Sequence, residues 1–537
     1  MTFEFEERQG SLIDSVMPTD SIVLGMTEDM KLLNKDIRSR LSQPQQLQKK
    51  KVGQVAIHQH QKRFIFYLIT RQKSYNKPTY AQLEACLIEL RKTCESYNVQ
   101  SLALPRELEE GLQEKYVKQA LFDVFQGWPE KEPFLPSISP PLQPQPKKLC
   151  CLKKKLAAPI PAAEYAARHR RLYETLVQLD KEAFVMEGGA TMRYYSNIDW
   201  ELTERPFLVV LRRQESLPTG INMTIITPTF EFTKAAERFK EARLPKEIQP
   251  TFVSWDEHKS PFEPIKSIVQ EGSLLVEPTT RLFIFQGLEE EHLNVQIAPI
   301  SIRQLRMIKS PSELNILRCA NTVTEMAIRA VRPHVKVGMS EQELQVIMTK
   351  ALTAAGLSQT WVLALIDQHA ALPHGDSSEK QVKEDSVILI DTGGELFGYQ
   401  SDTTRTFFLG QKGFNQTVED AWYLVKKAQE NVLDHLKAGM TAAQVDLTAR
   451  HVIENGGYGS YFTHRLGHGI GLEMHEEPYM NKGNTDLVLR PGMTFSVEPG
   501  IYIVNEFGIR LEDIVVINEQ GQLELLTNGL AQDPWSL

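Results

Sequence analysis

Apolar residues recur along the chain with two different periods, and the alternation between them divides it into blocks. RFIFYLIT (63–70) and VQSLALPR (99–106) are short apolar runs of the kind a buried strand needs. Between them, Thr79 to Tyr97 reads TYAQLEACLIELRKTCESY, with apolar side chains three and four apart, which predicts a helix N-capped by Thr79. EKYVKQALFDVF (114–125) predicts a further helix. Strand and helix alternate over residues 1–127, the pattern of an α/β domain with a mostly parallel sheet. The pattern then lapses. Residues 128–161, WPEKEPFLPSISPPLQPQPKKLCCLKKKLAAPIP, repeat proline too often for a helix or a central strand and predict a solvated, semi-extended linker.

A second α/β region, residues 162–305, begins with AAEYAARHRRLYETLVQLDKEAFVM and runs through the apolar segments LVVLRR, MTIITP, SLLVEP and RLFIFQG. A third, residues 306–537, opens on the amphipathic segment SPSELNILRCANTVTEMAIRAV, for which Ser312 is the expected N-cap. A second helix is expected from Ser340 to Ala355. The chain then turns strand-rich, with SVILIDTGG, SDTTRTFFLG, MTFSVEPGIYIV and IRLEDIVVI. Long helices followed by paired strands predict an α+β domain.

Composition narrows the function classes. Of 537 residues, 42% are hydrophobic and 24% charged, which excludes a wholly disordered or collagen-like chain. A net charge of −8 provides no global basic field for nucleic acid. Five cysteines in this length cannot form a disulfide framework and point to a reducing compartment. Glu4, Glu6 and Glu7 contradict a secretory signal, and no apolar stretch approaches the ~20 residues of a membrane span, so the cytosol is the expected location.

The candidate chemistry lies in the last third. Asp391 ends SVILID, and Asp402 follows in YQSDTTRTF, as on the facing strand of a hairpin. Glu498 lies in MTFSVEPGIY and Glu512 in IRLEDIVV. THRLGHGIGLEMHEEP holds His464, His468 and His475 among glycines. Taken singly, each has a plain reading: a strand-end aspartate is ordinarily a turn cap, a histidine among glycines is ordinarily structural, and Glu512 beside Asp513 reads as a solvated edge pair. Together they place four carboxylates inside apolar strands, where they would repel one another unless cations are bound. Four carboxylates with one imidazole form an oxygen-rich set that favours two divalent ions of the hardness of Mn²⁺.

The run Asp391, Asp402, His468, Glu498, Glu512 resembles the pita-bread metallopeptidases, which include proline-specific aminopeptidases, prolidases and methionine aminopeptidases. The carrying strings are LIDTGGELFGYQSDTTRTF, RLGHGIGLEMHEEP, SVEPGIY and GIRLEDIVV. MRYYSNIDWELTERPFLVVLRR and LRMIKSPSELNILRCAN resemble the N-terminal domain and junction of the creatinase, prolidase and proline-aminopeptidase branch, so the likeness runs from Ala162 to the C-terminus. It implies that Asp391 and Asp402 bind one metal, that His468 and Glu498 bind the second, and that Asp402 and Glu512 bridge. It also implies that His374 sits over the metals, that His475 stabilises the tetrahedral intermediate, and that His464 lies near the residue after the scissile bond. Arg510 is expected to orient Glu512 or to meet a substrate carboxylate. The implied reaction is hydrolysis of the bond before a proline in second position by a metal-bridging hydroxide, with Glu498 moving the proton. The resemblance leaves Xaa-Pro aminopeptidase and Xaa-Pro dipeptidase both open and implies a homodimer. The competing readings are a non-catalytic binding scaffold and a non-peptidase amidohydrolase on the same fold.

Residues 20–125 resemble a macro domain of the type that removes ADP-ribose from glutamate, through GQVAIHQHQKRFIFYLITRQKSYNKPTYAQLEACLIEL and VQSLALPRELEEGL. The likeness departs where function would lie. MTEDMKLLNKDIRSR has no glycine after Gly25 to cradle a diphosphate, Arg71 stands where a lysine is expected, and the Leu108–Gln113 stretch lacks the aspartate. Neither hydrolase activity nor ADP-ribose binding is expected, and a structural or partner-binding module is the favoured reading. In the linker, Cys150 and Cys151 among lysines form a candidate palmitoylation site beside a polybasic patch, but a solvated charge run with incidental thiols is favoured and no membrane partner is expected.

Overall fold

The computed structural model describes residues 21–27, 50–52, 54–60, 63–71, 80–97, 99, 102–103, 117, 121 and 124, and then 157–269, 272–410 and 415–535. The chain divides into two compact units, Met1–Pro140 and Pro141–Leu537.

In the first unit, strand Ser21–Thr27 pairs in parallel with both Arg63–Arg71 and Leu102–Ala103. The sheet also contains an antiparallel hairpin, Val55–His60 with Arg63–Arg71, which the alternation of elements does not reveal. Helix Tyr80–Ser96 lays Leu83, Leu87, Leu90 and Cys94, at helical spacing, into a core with Val23, Phe66 and Leu68. Thr79, residues 28–40 and 108–113, and the linker residues 128–156 with Cys150 and Cys151 lie outside the described residues.

The second unit begins with helix Ala162–Gln178 and a six-stranded mixed sheet. The strand order is Asn294–Ile297, Ser273–Val276, Ala183–Glu187, Leu208–Arg213, Ile221–Pro228, Thr251–Trp255. The apolar run RLFIFQG is the start of a helix, Leu282–Glu290, rather than a strand. A short apolar run carries no period of its own, and here it covers one face of the sheet with Ile284 and Leu288.

Helix Pro311–Val331 then starts at Ser310, not at Ser312. Ser310 Oγ accepts from the Glu313 N–H and Glu313 returns to the Ser310 N–H, with Pro311 at the first helical position. The two serines compete for the role, and the capping box and proline decide for the first. Helix Glu341–Ala354 is capped in the same way by Ser340. These two helices pack on the antiparallel sheet Ser358–Ile366, Val387–Leu396, Tyr399–Phe408. Helices Gln416–His435 and Ala442–Asn455 pack on a second sheet ordered Glu476–Met480, Gly467–Gly469, Thr494–Val497, Asp513–Ile517, Leu523–Leu525, around the fully buried Trp422. Each helix pair covers the outside of its sheet, so the inner faces of the two sheets can carry polar residues.

Buried charge joins the six-stranded domain to these sheets. Arg168, 1% exposed, donates to Tyr194 O at 2.7 Å, Glu164 Oε1 at 2.9 Å and Tyr399 Oη at 3.1 Å. Tyr399 in turn donates to Glu313 at 2.9 Å, and Ser310 Oγ to Glu164 at 2.6 Å. Among the described residues no helix is long and apolar enough to cross a membrane.

Candidate functional site

The hairpin Val387–Leu396 and Tyr399–Phe408 pairs Asp391 with Thr404 and Asp402 with Gly393, so the two aspartates are diagonal neighbours on one face. Gly393 permits the close pairing, because a Cβ there would lie 1.8 Å from Ser401 O. Helix Pro311–Val331 fixes the second strand from behind: Asn321 Oδ1 accepts the Asp402 N–H at 3.1 Å, and the Thr324 and Ser401 hydroxyls lie 2.7 Å apart.

His468 comes from Gly467–Gly469 in the other sheet. Its backbone N–H donates to Ser496 Oγ at 3.0 Å, and Ser496 Oγ donates to Glu498 Oε1 at 3.1 Å. The His468 Nδ1 lies 3.1 Å from Gly469 O, which can only accept. Nδ1 therefore carries the hydrogen and Nε2 offers its lone pair inward. That Nε2 is 3.4 Å from Glu498 Oε1, 3.6 Å from Asp402 Oδ2 and 4.0 Å from Glu512 Oε1. Burial, and then His475, lower its pKa to about 3, so the ring stays neutral and free to ligate.

Donor atoms of three groups lie within 4.8 Å of one another: Asp391, Asp402 and Glu512; His468, Glu498 and Glu512; and Asp402, His468 and His475. The Oδ1 atoms of Asp391 and Asp402 and the Oε1 of Glu512 are buried without a hydrogen-bond partner. Burial and then the neighbouring acids push the Asp402 and Glu512 carboxyls well above the usual range. Burial likewise raises Glu498 to about 7. Convergent, acceptor-only oxygens left unpartnered out of water destabilise one another unless cations lie among them. The residues fit two adjacent divalent ions.

Arg510 lies 3% exposed behind this set. It donates from NH2 to Asp391 Oδ2 at 2.7 Å, from NH1 to Tyr502 Oη at 3.0 Å and from Nε to Thr404 Oγ1 at 3.0 Å. The geometry gives Arg510 an orienting role, directly toward Asp391 and, through the Thr404 hydroxyl, toward Glu512. With all three nitrogens facing protein oxygens, it is not placed to meet a substrate carboxylate. His464 is similarly engaged: Nδ1 lies 2.6 Å from Arg465 O, and Nε2 lies 2.8 Å from Tyr502 Oη. Burial lowers its pKa to about 3. His475 is exposed, with its ring centroid 4.1 Å from that of His468. His374 is exposed on a loop anchored on its C-terminal side, where the Ser377 Oγ donates to Ala364 O and the Ser378 N–H and Oγ donate to buried Glu341. A charge on His374 is felt by both His464 and His475, which places the loop at the same site.

Several supporting residues escaped the sequence reading. Thr404 donates to Glu512 Oε2 at 2.7 Å. Its position two residues after Asp402, and so on the same strand face, was the available signal. Tyr502 joins Arg510 to His464, and no local pattern marks it. Arg405 and Asp513, each 1% exposed, pair at 2.7 Å, and Arg405 also donates to Glu512 O at 2.7 Å, which ties the Asp402 strand to the Glu512 segment. Lys309 Nζ, also buried, donates to Glu476 Oε1 at 2.7 Å and to Arg306 O at 2.9 Å, which holds the residue next to His475.

The sequence profile of metallopeptidase family M24 matches residues 315–519. An uncharacterized peptidase of Schizosaccharomyces pombe is 37% identical over 382 residues, covering 69% of this chain and 83% of the relative. A protein named Xaa-Pro dipeptidase from Pyrococcus horikoshii is 33% identical over 316 residues, covering 58% of this chain and 85% of the relative. Among solved structures, dipeptidase PepE from Mycobacterium ulcerans superposes with a TM-score of 0.63 at 28% identity, over 69% of this chain and 98% of that one. X-Pro aminopeptidase from Thermotoga maritima superposes with a TM-score of 0.58 at 26% identity, over 68% of this chain and 99% of that one.

Proposed function

The chain belongs to metallopeptidase family M24, and from that premise we propose that it hydrolyses the bond between an N-terminal residue and a proline. The observation that carries the proposal is the convergence of Asp391, Asp402, His468, Glu498 and Glu512, with three buried acid oxygens left unpartnered. Two divalent ions, for which we propose Mn²⁺, would polarise the scissile carbonyl and supply a nucleophilic water at neutral pH.

The chain's own residues do the rest. Asp391, Asp402 and Glu512 would hold one ion, and His468, Glu498 and Glu512 the second. Glu498 receives the proton released at the attacking oxygen and passes it to the departing proline nitrogen. Ser496 keeps one Glu498 oxygen oriented. His475, exposed beside His468, donates to the oxygen that gains charge. The Arg510–Tyr502–His464 chain holds Asp391 on one side and the loop after His464 on the other. Proline suits such a site, because its bond carries no N–H for a peptidase to grip and its ring fixes the backbone.

For the N-terminal unit we propose a structural or partner-binding module of macro-like descent. The parallel pairs of its sheet are those of an α/β unit; the macro-like part of the proposal rests on the sequence, where Arg71 in place of a lysine argues against hydrolase chemistry.

The test is incubation of the Mn²⁺-loaded protein with Xaa-Pro dipeptides, Xaa-Pro-Xaa peptides and matched peptides with alanine for proline. Release of the first residue from proline peptides alone is the expected result. No release from any peptide would leave the scaffold or the small-amide hydrolase.

A further inference from the structure

We infer, on the peptidase reading above, that Glu341 is a positioning residue for His374. Its carboxylate clamps both ends of the loop that carries this histidine.

Glu341 is fully buried in the first turn of helix Glu341–Ala354, where a helix N-terminus favours negative charge. A carboxylate so deep needs donors, and the loop supplies them. Oε1 accepts the Ile366 N–H at 2.8 Å. Oε2 accepts the Ser378 N–H at 2.8 Å and the Ser378 hydroxyl at 2.7 Å. His369 Nδ1 bridges the two, 3.0 Å from Oε1 and 3.1 Å from Oε2. A carboxylate only accepts, so this nitrogen carries the hydrogen. Ile366 stands where the loop leaves strand Ser358–Ile366, Ser378 stands where it returns, and His374 lies between them.

The clamp reaches His374 through a chain with little slack. His369 sits in the 3₁₀ turn Asp367–Ala371. Its carbonyl accepts the Leu372 N–H at 3.1 Å, and the Leu372 carbonyl accepts the Gly375 N–H at 3.0 Å, so two consecutive turns run from His369 past His374. On the returning side, Ser377 Oγ donates to Ala364 O at 2.9 Å and accepts the Ala364 N–H at 3.2 Å. The 3₁₀ turn also abuts the strands of the site. A Cβ on Gly508 would lie 1.7 Å from Ala370 O, and Gly508 shares strand Phe507–Arg510 with Arg510. Asp367 Oδ1 accepts the Val387 N–H at 2.9 Å, at the start of the strand that carries Asp391. A shift at the loop's ends is therefore a shift of His374 relative to Asp391 and Arg510.

Glutamine cannot replace this acid. It keeps the shape but offers one acceptor oxygen and an NH2 group. The NH2 would face either the Ile366 N–H or the Ser378 donors, and that end of the loop would be released.

The test measures kcat and KM of the Mn²⁺-loaded full chain on whichever of Ala-Pro, Ala-Pro-Ala and Ala-Leu the wild type cleaves. Glu341→Gln and the milder Ser378→Ala are each made alone and together with His374→Ala. Glu341→Gln should lower kcat by about 10- to 100-fold with KM nearly unchanged, the effect of displacing a group by about 1 Å. Ser378→Ala should lower it by less. On top of His374→Ala either change should cost no more than about twofold, because the side chain they position is gone. Unchanged kcat in Glu341→Gln overturns the inference. A full second loss on top of His374→Ala also overturns it, because a merely structural residue would give that result. Deuterium exchange into residues 367–377 reads the clamp without turnover. Glu341→Gln should speed that exchange by roughly tenfold or more while helix Gln416–His435 exchanges as in the wild type. If no peptide is cleaved and the exchange changes in this way, the peptidase reading falls and the clamp stands. Unchanged exchange in the loop overturns the clamp.

Discussion

Replacing Asp402 by asparagine separates what this residue costs from what it contributes. The side chain is 3% exposed, its Oδ1 has no partner, and burial followed by Glu512, Asp391 and Glu498 pushes its carboxyl up. Asparagine keeps the shape and removes the charge. Without cations the variant should therefore be more stable than the wild type by about 1–3 kcal/mol, the cost of one buried unsatisfied group. An unfolding entropy of ~2.1 cal/mol/K per residue makes 1 kcal/mol worth only about 1 °C in a unit of this size, so the midpoint should rise by about 1–4 °C. With Mn²⁺ in excess the sign should reverse. Asp402 belongs to two of the three donor groups, and each tenfold loss of cation affinity removes about 1.4 kcal/mol of linked stability. Calorimetric scans of both proteins, in chelator and in saturating Mn²⁺, should thus give curves whose order inverts. If the variant melts below the wild type in chelator, the carboxylate is satisfied by the protein and the reasoning fails. If it melts above in both conditions, Asp402 contributes nothing to cation binding.

Three further outcomes follow from the same geometry. Arg405→Met should cost about 3–5 kcal/mol in urea, because it strands Asp513 uncompensated. The Arg405→Met, Asp513→Leu double variant should recover much of that, read by the fluorescence of Trp422, whose indole donates to Thr406 O at 2.8 Å. A double variant no better than the single would refute the pairing account. Lys309→Met should lower kcat by about 10²-fold with little change in KM, because Glu476 and hence His475 shift, and unchanged kcat would show that His475 is held by other means. His169 is fully buried, with Nε2 on Tyr195 O at 3.0 Å, and burial lowers its pKa from 6.5 to about 4. The fold favours the neutral ring, so this contribution is complete above pH 6.5 and is lost as pH falls from 6.5 toward 4, reaching about 3 kcal/mol. His169→Gln should flatten urea midpoints between pH 7.5 and 5 relative to the wild type, and parallel pH profiles would remove His169 as the cause.

The five acid and imidazole positions were legible because each interrupts an apolar strand or a glycine run, a violation visible within a dozen residues of sequence. What supports them was not. Arg405 and Asp513 meet only through the packing of two strands more than a hundred positions apart in sequence, and Lys309 reaches Glu476 across 167 positions. The same limit explains Arg510, whose charge was evident but whose direct partner, Asp391, with Glu512 reached only through Thr404, depends on strand register. Local ambiguities resolved differently. Ser310 and Ser312 both suit a cap, and only Ser310 has glutamate at the third helical position with proline at the first. RLFIFQG is equally apolar as helix or strand, and its place on the outer face of a sheet makes it a helix.

The buried Arg168 cluster bears on how the site can be reached. Swinging the six-stranded domain away from the catalytic sheets would part Arg168 from Tyr399 and Glu313, and Ser310 from Glu164, which leaves charges stranded at a dry joint. Breaking one such pair costs about 3–5 kcal/mol, enough to make a spontaneously opened state rarer than one molecule in a hundred. The joint is thus a weld rather than a hinge. Traffic of peptide and product falls to smaller movements at the rim, where the loop bearing His374 is exposed but anchored at its C-terminal end by Ser377 and Ser378. On the proposed peptidase activity, access to the site would then turn on a loop's rearrangement and not on the breathing of whole domains.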